Sequence, residues 1–194
     1  MKLIFKKEFN GDVEKLPSRE VEGAVVFKEP ESIQKLSIIG NTLGIIIIIA
    51  AIIPIMLNIG WRGILDSNWN ILLGALLSVL VIPLHEILHA ICFRETVEFH
   101  TYLKKGLCFV VGTESMTKAR FVLMCLLPNI VFGVIPYALF FIFPDQVWLG
   151  IFGLLGLGAG AGDYINVFNA LTQMPKGSLC FMSKNRSYWY IPKK

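Results

Sequence analysis

Three residues in one short stretch have the types and the spacing of a hydrolytic metal site. His85-Glu86-Ile87-Leu88-His89 reads HExxH. Residues four apart on a helix share a face, so both imidazoles can reach one Zn²⁺. Glu86 follows the first ligand directly and is placed as general base toward water at the ion. Only 3 histidines occur in the chain, and two of them stand here. The bland alternative is a hydrogen-bonded cluster between helices. The surroundings weigh against it, because an ionisable group in an apolar span costs about 3 kcal/mol or more and is usually kept for function.

The elements that must carry this motif are apolar. The 194 residues are 55% hydrophobic and 16% charged, against about 25% charged in an ordinary soluble domain. No Asp, Glu, Lys or Arg interrupts Leu36 to Trp61 or Phe121 to Phe143. Uncharged runs beyond about 18 residues are what a helix needs to cross hydrocarbon. The pattern predicts a mainly α, polytopic membrane protein with spans at about 37–57, 69–93, 119–143 and 147–172. A net charge of +4, dispersed along the chain, excludes a nucleic-acid partner and leaves the lipid bilayer as the surroundings. The first 35 residues mix seven basic with seven acidic side chains, which does not resemble a cleaved signal. With four crossings, 17 of the 18 Lys and Arg fall on one side, so both termini and the middle connection are expected to be cytoplasmic.

Catalytic zinc usually has three protein ligands and one open position. His100, Glu95, Glu98 and Glu114 all lie in the middle connection. His100 reads as a water-facing loop histidine, and Glu95 and Glu98 as solvated interfacial charges. Asp163 is the better third ligand, on grounds of depth. His85 lies 16 residues beyond Trp69, and Asp163 lies 16 beyond Val147. Both spans enter from the same side, so each group sits about 24 Å in. Asp163 is also the only acidic residue in spans one, three and four, and it needs a partner; a snorkelling or protonated aspartate is the alternative. Asn166, one turn on, is a candidate to orient Asp163 or to bind a substrate carbonyl, and Asn129 after Pro128 is a candidate to line the same cavity.

Around these residues the pattern is varied. Gly153 to Gly162 holds small-xxx-small pairs, Gly156/Gly160 and Gly158/Gly162, which suit close helix packing and ease unwinding. Pro83 is expected to bend the second span. Residues 97–113 read as a β-hairpin turning at Lys104-Lys105-Gly106, with a weaker pair around Lys184-Asn185-Arg186 and short strands within Val21 to Phe27. Trp61, Trp69, Trp148 and Tyr188-Trp189-Tyr190 look like interfacial anchors. Cys92, Cys108, Cys125 and Cys180 lack CxxC spacing and read as reduced apolar fillers.

An intramembrane HExxH, a β-prone middle connection and a Gly-rich last span ending in Gly162-Asp163-Tyr164-Ile165-Asn166 resemble the bacterial putative zincin peptidase family. That family is similar to site-2-type intramembrane metalloproteases, although here Tyr164 follows Asp163 where those enzymes have glycine. The resemblance runs from about Ser37 onward. It implies one Zn²⁺ per chain on His85, His89 and Asp163, with Glu86 as catalytic base. The expected activity is zinc-dependent cleavage of a membrane protein or peptide near the cytoplasmic side of the cell membrane. A membrane-bound protease of soluble or peripheral peptides, and a zinc-stapled protein without catalysis, are the alternatives. The expected organisation is an N-terminal segment 1–36, a membrane metalloprotease-like domain 37–172 and a basic tail 173–194.

Overall fold

A computed structural model describes residues 1–30 and 32–193; Glu31 and Lys194, both counted in the charge tally, lie outside the described residues. The order is β1 (Lys2–Phe5), β2 (Val25–Val26), α1 (Ile33–Leu65), α2 (Asn68–Leu80), α3 (Ile82–Ala90), β3 (Thr96–Tyr102), β4 (Leu107–Val111), β5 (Met116–Thr117), α4 (Lys118–Asn129), a π-helical turn (Ile130–Val134), α5 (Ile135–Ile142), α6 (Val147–Ala159), α7 (Ala161–Gln173), β6 (Leu179–Ser183) and β7 (Arg186–Tyr190).

The chain is mainly helical. Among the described residues, Gln34–Leu65 and Lys118–Ile142 are long and apolar enough to cross a membrane, and the count is four if each of two bent helix pairs is one span. The expected second span is one such pair, α2 and α3 meeting at 42°, with the break at Val81 two residues before Pro83. The expected fourth span is the other, α6 and α7 meeting at 49° where Gly160 closes α6. The isoleucine run, β-prone by composition, is helical, and α1 continues past it to a break at Gly60 with φ 71°. Only glycine adopts such a φ without cost. Leu57, Trp69 and Val79 are largely exposed, as suits helices solvated by hydrocarbon and marks membrane association.

The chain divides into two compact units, Pro30–His85 with Leu126–Ile165, and Met1–Glu29 with Glu86–Cys125 and Asn166–Lys194. The first is helical. α6 packs against α1, α2, α5 and the π-helical turn, around Ile55, Phe140, Val147, Ile151 and Leu154. Close approach is the work of the glycines here. A Cβ on Gly156 would stand 2.2 Å from the Phe132 carbonyl oxygen, and one on Gly44 would stand 2.7 Å from that of Gly158.

The second unit holds the sheets. In one, β3 lies between β1, parallel to it, and β4, antiparallel to it. The β3–β4 hairpin turns through Gly106 at φ 63°, as its sequence suggested. The pairing of β1 with β3 was not foreseen. The other sheet runs β2-β7-β6-β5, all antiparallel. Its β6–β7 turn places Lys184 at φ 56°. Tyr188, Trp189 and Tyr190 belong to β7. Tyr188 stacks on Phe181, and the Tyr190 hydroxyl meets Ser115 Oγ at 3.0 Å. The core of this unit gathers Phe27, Phe93, Val97, Phe121, Met124 and Cys180. All four cysteines are free thiols, and burial pushes that of Cys180 up to about 12.

Candidate metal centre

The motif occupies α3, a nine-residue helix. One donor atom from each of His85, Glu86 and His89 lies within 4.8 Å of the others, as the four-residue spacing requires. His89 is buried, whereas His85 and Glu86 keep partial access. Each of the three side chains is held by a different neighbour.

His85 Nε2 lies 3.3 Å from Asp163 Oδ2. Two donors bound tetrahedrally at 2.0–2.1 Å to one Zn²⁺ sit about 3.3–3.5 Å apart. The pair therefore has the separation of two ligands of one ion, and its donor set suits zinc. Asn129 Nδ2 donates to Asp163 Oδ2 at 2.8 Å. The bend at Gly160 adds a third influence, because it opens a new helix and puts Asp163 in the first turn of α7. Amides at a helix N-terminus favour negative charge. Gly160 also makes room for Asn129, since a Cβ there would meet Asn129 Oδ1 at 1.5 Å. Asn166 is half-buried on α7, and its side chain makes no hydrogen bond among the described residues.

Glu86 Oε2 accepts the Val110 N–H at 3.1 Å. β4 is an outer strand of its sheet, so this backbone donor belongs to the sheet edge. Cys108, two residues earlier, feels the same carboxylate. Its thiol is pushed above its ordinary value by burial first and by the Glu86 charge second. His89 Nδ1 meets the Met124 carbonyl at 2.9 Å. A carbonyl only accepts, so Nδ1 carries the proton and the ring lone pair lies on Nε2.

The turn after α3 is fixed by charge. Arg120 donates from Nε at 2.9 Å and Nη2 at 2.6 Å to the Cys92 carbonyl and pairs with Glu114. Glu114 is buried and accepts the backbone N–H groups of Arg94 and Glu95. Burial alone would raise the Glu114 carboxyl, but Arg120 and the two N–H donors outweigh it and hold it below its ordinary value.

His100 is the clear correction. It is buried on β3, stacked on Phe109 with centroids 5.2 Å apart, and 3.1 Å from Glu98. Glu98 in turn pairs with Lys6 at 2.8 Å. These groups hold the sheet together and do not sit as loop residues in water. Sequence reasoning also missed Val110, Met124 and Arg120, and it gave Gly160 a role in packing and unwinding but not in seating Asn129. Two of these act through backbone atoms, which leave no trace in residue type. Pro128 and the glycine run were the available signals.

A family model described as putative zincin peptidase matches residues 78–179. The match spans half of the chain, from before the HExxH helix to beyond Asp163, and the chain belongs to this family. It is thereby placed among zinc metallopeptidases, with zinc the cofactor that the family implies. No curated protein and no solved structure matches the chain.

Proposed function

We propose that this protein is a zinc-dependent intramembrane endopeptidase, with His85, His89 and Asp163 as ligands and Glu86 as general base. The observation that carries the reading is the 3.3 Å approach of Asp163 to His85, between two residues 78 positions apart in sequence. Zinc, when bound there, supplies Lewis acidity that acidifies water toward pKa about 7 and polarises a carbonyl. Glu86 takes the proton from the attacking water onto its carboxylate. The water oxygen bonds to the scissile carbonyl carbon, the C–N bond breaks, and Glu86 returns the proton to the leaving amine. The Val110 N–H at 3.1 Å keeps the carboxylate aimed through both transfers. Asn129 holds Asp163, and Asn166 lines the substrate side.

The substrate is a membrane protein or peptide. A peptide bond inside a membrane helix is shielded by its own hydrogen bonds and must unwind before cleavage. Strand β4 offers an outer edge next to Glu86 on which an unwound segment can pair. The chain crosses the bilayer four times with both termini and the hairpin cytoplasmic, which brings water to the site from that side.

The test is metal content alongside cleavage. Purified wild type is expected to hold about one zinc per chain. Glu86→Gln keeps the zinc and loses cleavage, whereas His85→Ala and Asp163→Asn lose zinc. Retention of zinc by both Asp163→Asn and Asp163→Ala would remove Asp163 from the ligand set. Substrates with and without a membrane span separate the remaining readings: cleavage of the soluble one alone makes this a juxtamembrane protease. Zinc without cleavage of either substrate favours a stapled, non-catalytic protein.

A further inference from the structure

Pro128 lies inside α4, where a proline removes a helical hydrogen bond and is disfavoured unless something compensates. It is nearly fully buried. In an unbroken α-helix the N–H of residue 128 would bond the carbonyl of Met124, four residues back. Proline has no N–H, so that carbonyl lacks its helical donor. It is this carbonyl that His89 Nδ1 meets at 2.9 Å. Met124 and His89 are both buried, where an unmet carbonyl is costly and water is a poor substitute.

We propose that Pro128 is a positioning residue of the metal centre: by removing the helical donor to Met124, it dedicates that carbonyl to His89 and fixes the ring with Nδ1 protonated and Nε2 turned to the metal. The metal half of this statement rests on the reading of His89 as a zinc ligand. The tautomer half stands without it. Groups that hold a ligand histidine by its second nitrogen typically change metal affinity 10- to 100-fold when lost. Pro128 would do so without touching either the histidine or the ion.

The test compares two replacements at one position in the full-length protein. Pro128→Ala restores an N–H that competes for the Met124 carbonyl. Lactic acid installed at 128, which turns the amide into an ester, removes both the ring and the N–H. ¹⁵N shifts of His89 in zinc-free protein read the tautomer, and chelator competition reads zinc affinity. Wild type and the ester variant are expected to show Nδ1–H and similar affinities. The alanine variant is expected to show mixed tautomers and zinc binding weaker by about 10-fold or more. An ester variant as weak as alanine would assign the effect to the proline ring, and an alanine variant with an unchanged tautomer would overturn the proposal outright. If wild type binds no zinc, the ligand assignment fails while the ¹⁵N shifts still decide the role of Pro128.

Discussion

A carboxylate inside an apolar helix needs donors, and Asp163 draws on neighbours that the sequence places far apart. Asn129 donates at 2.8 Å, His85 stands at 3.3 Å, and the bend at Gly160 sets Asp163 in the first turn of α7. Gly160 connects two of these effects, because the Asn129 side chain occupies the space a Cβ would fill. Gly160→Ala is therefore expected to push Asn129 off Asp163, adding about 1–3 kcal/mol of overpacking and weakening zinc binding about 10-fold. Asn129→Ala should weaken zinc to a similar degree. The double variant should bind zinc no worse than Asn129→Ala alone, since contacting residues are not additive. Chelator competition on the three proteins checks the cycle, and full additivity would mean that Gly160 acts through the fold and not through Asn129.

The short helix α3 is held at its far end by an element of opposite character, a buried ion pair. Arg120 clamps the Cys92 carbonyl, three residues past His89, while Glu114 caps Arg94 and Glu95. Because Glu114 titrates below its ordinary value of 4.5 when folded, its stabilising effect is complete above that value and is lost as pH falls through the folded one. Thermal unfolding in lipid nanodiscs should show wild type losing stability on acidification below pH 4.5, with a flatter profile for Glu114→Gln. At pH 7 the variant should be less stable by about 3 kcal/mol, the low end for breaking a buried pair, since Arg120 keeps 20% of its side chain exposed. An identical acid profile in the two proteins would show that another carboxylate governs the loss. This clamp also marks where sequence reading stops. HExxH is legible because one helix supplies its geometry, and Asp163 is reachable by counting depth along two spans. Val110 N–H and the Met124 carbonyl are backbone atoms, which every residue type but proline carries alike. His100 packs against Phe9, and its partner Glu98 pairs with Lys6; both come from the chain just after β1, more than ninety positions away.

At the scale of the whole chain the helices and the charges make separate statements about the membrane. Length and apolarity allow from two crossings up to four, depending on which of the bent pairs is one span. Two and four crossings both return the termini to one side, so locating the termini separates an odd count from an even one but not two from four. The β3–β4 hairpin does decide. With four crossings it shares the side of the termini, and the connection at Asp145 faces outward. With two crossings the hairpin lies outside, Asp145 lies inside, and Arg94, Lys104 and Lys105 stand on the face where basic residues are disfavoured. The charge pattern is what the four-crossing proposal rests on. Single cysteines, Lys105→Cys and Asp145→Cys, in a chain whose four native cysteines are replaced, turn this into a measurement with a membrane-impermeant maleimide. Lys105→Cys is expected to label only after permeabilisation, and Asp145→Cys in intact cells. The reverse pattern would leave α1 and Lys118–Ile142 as the crossings. It would also put the Glu86-bearing helix on the outer side, where the water for a hydrolytic site would enter from outside the cell.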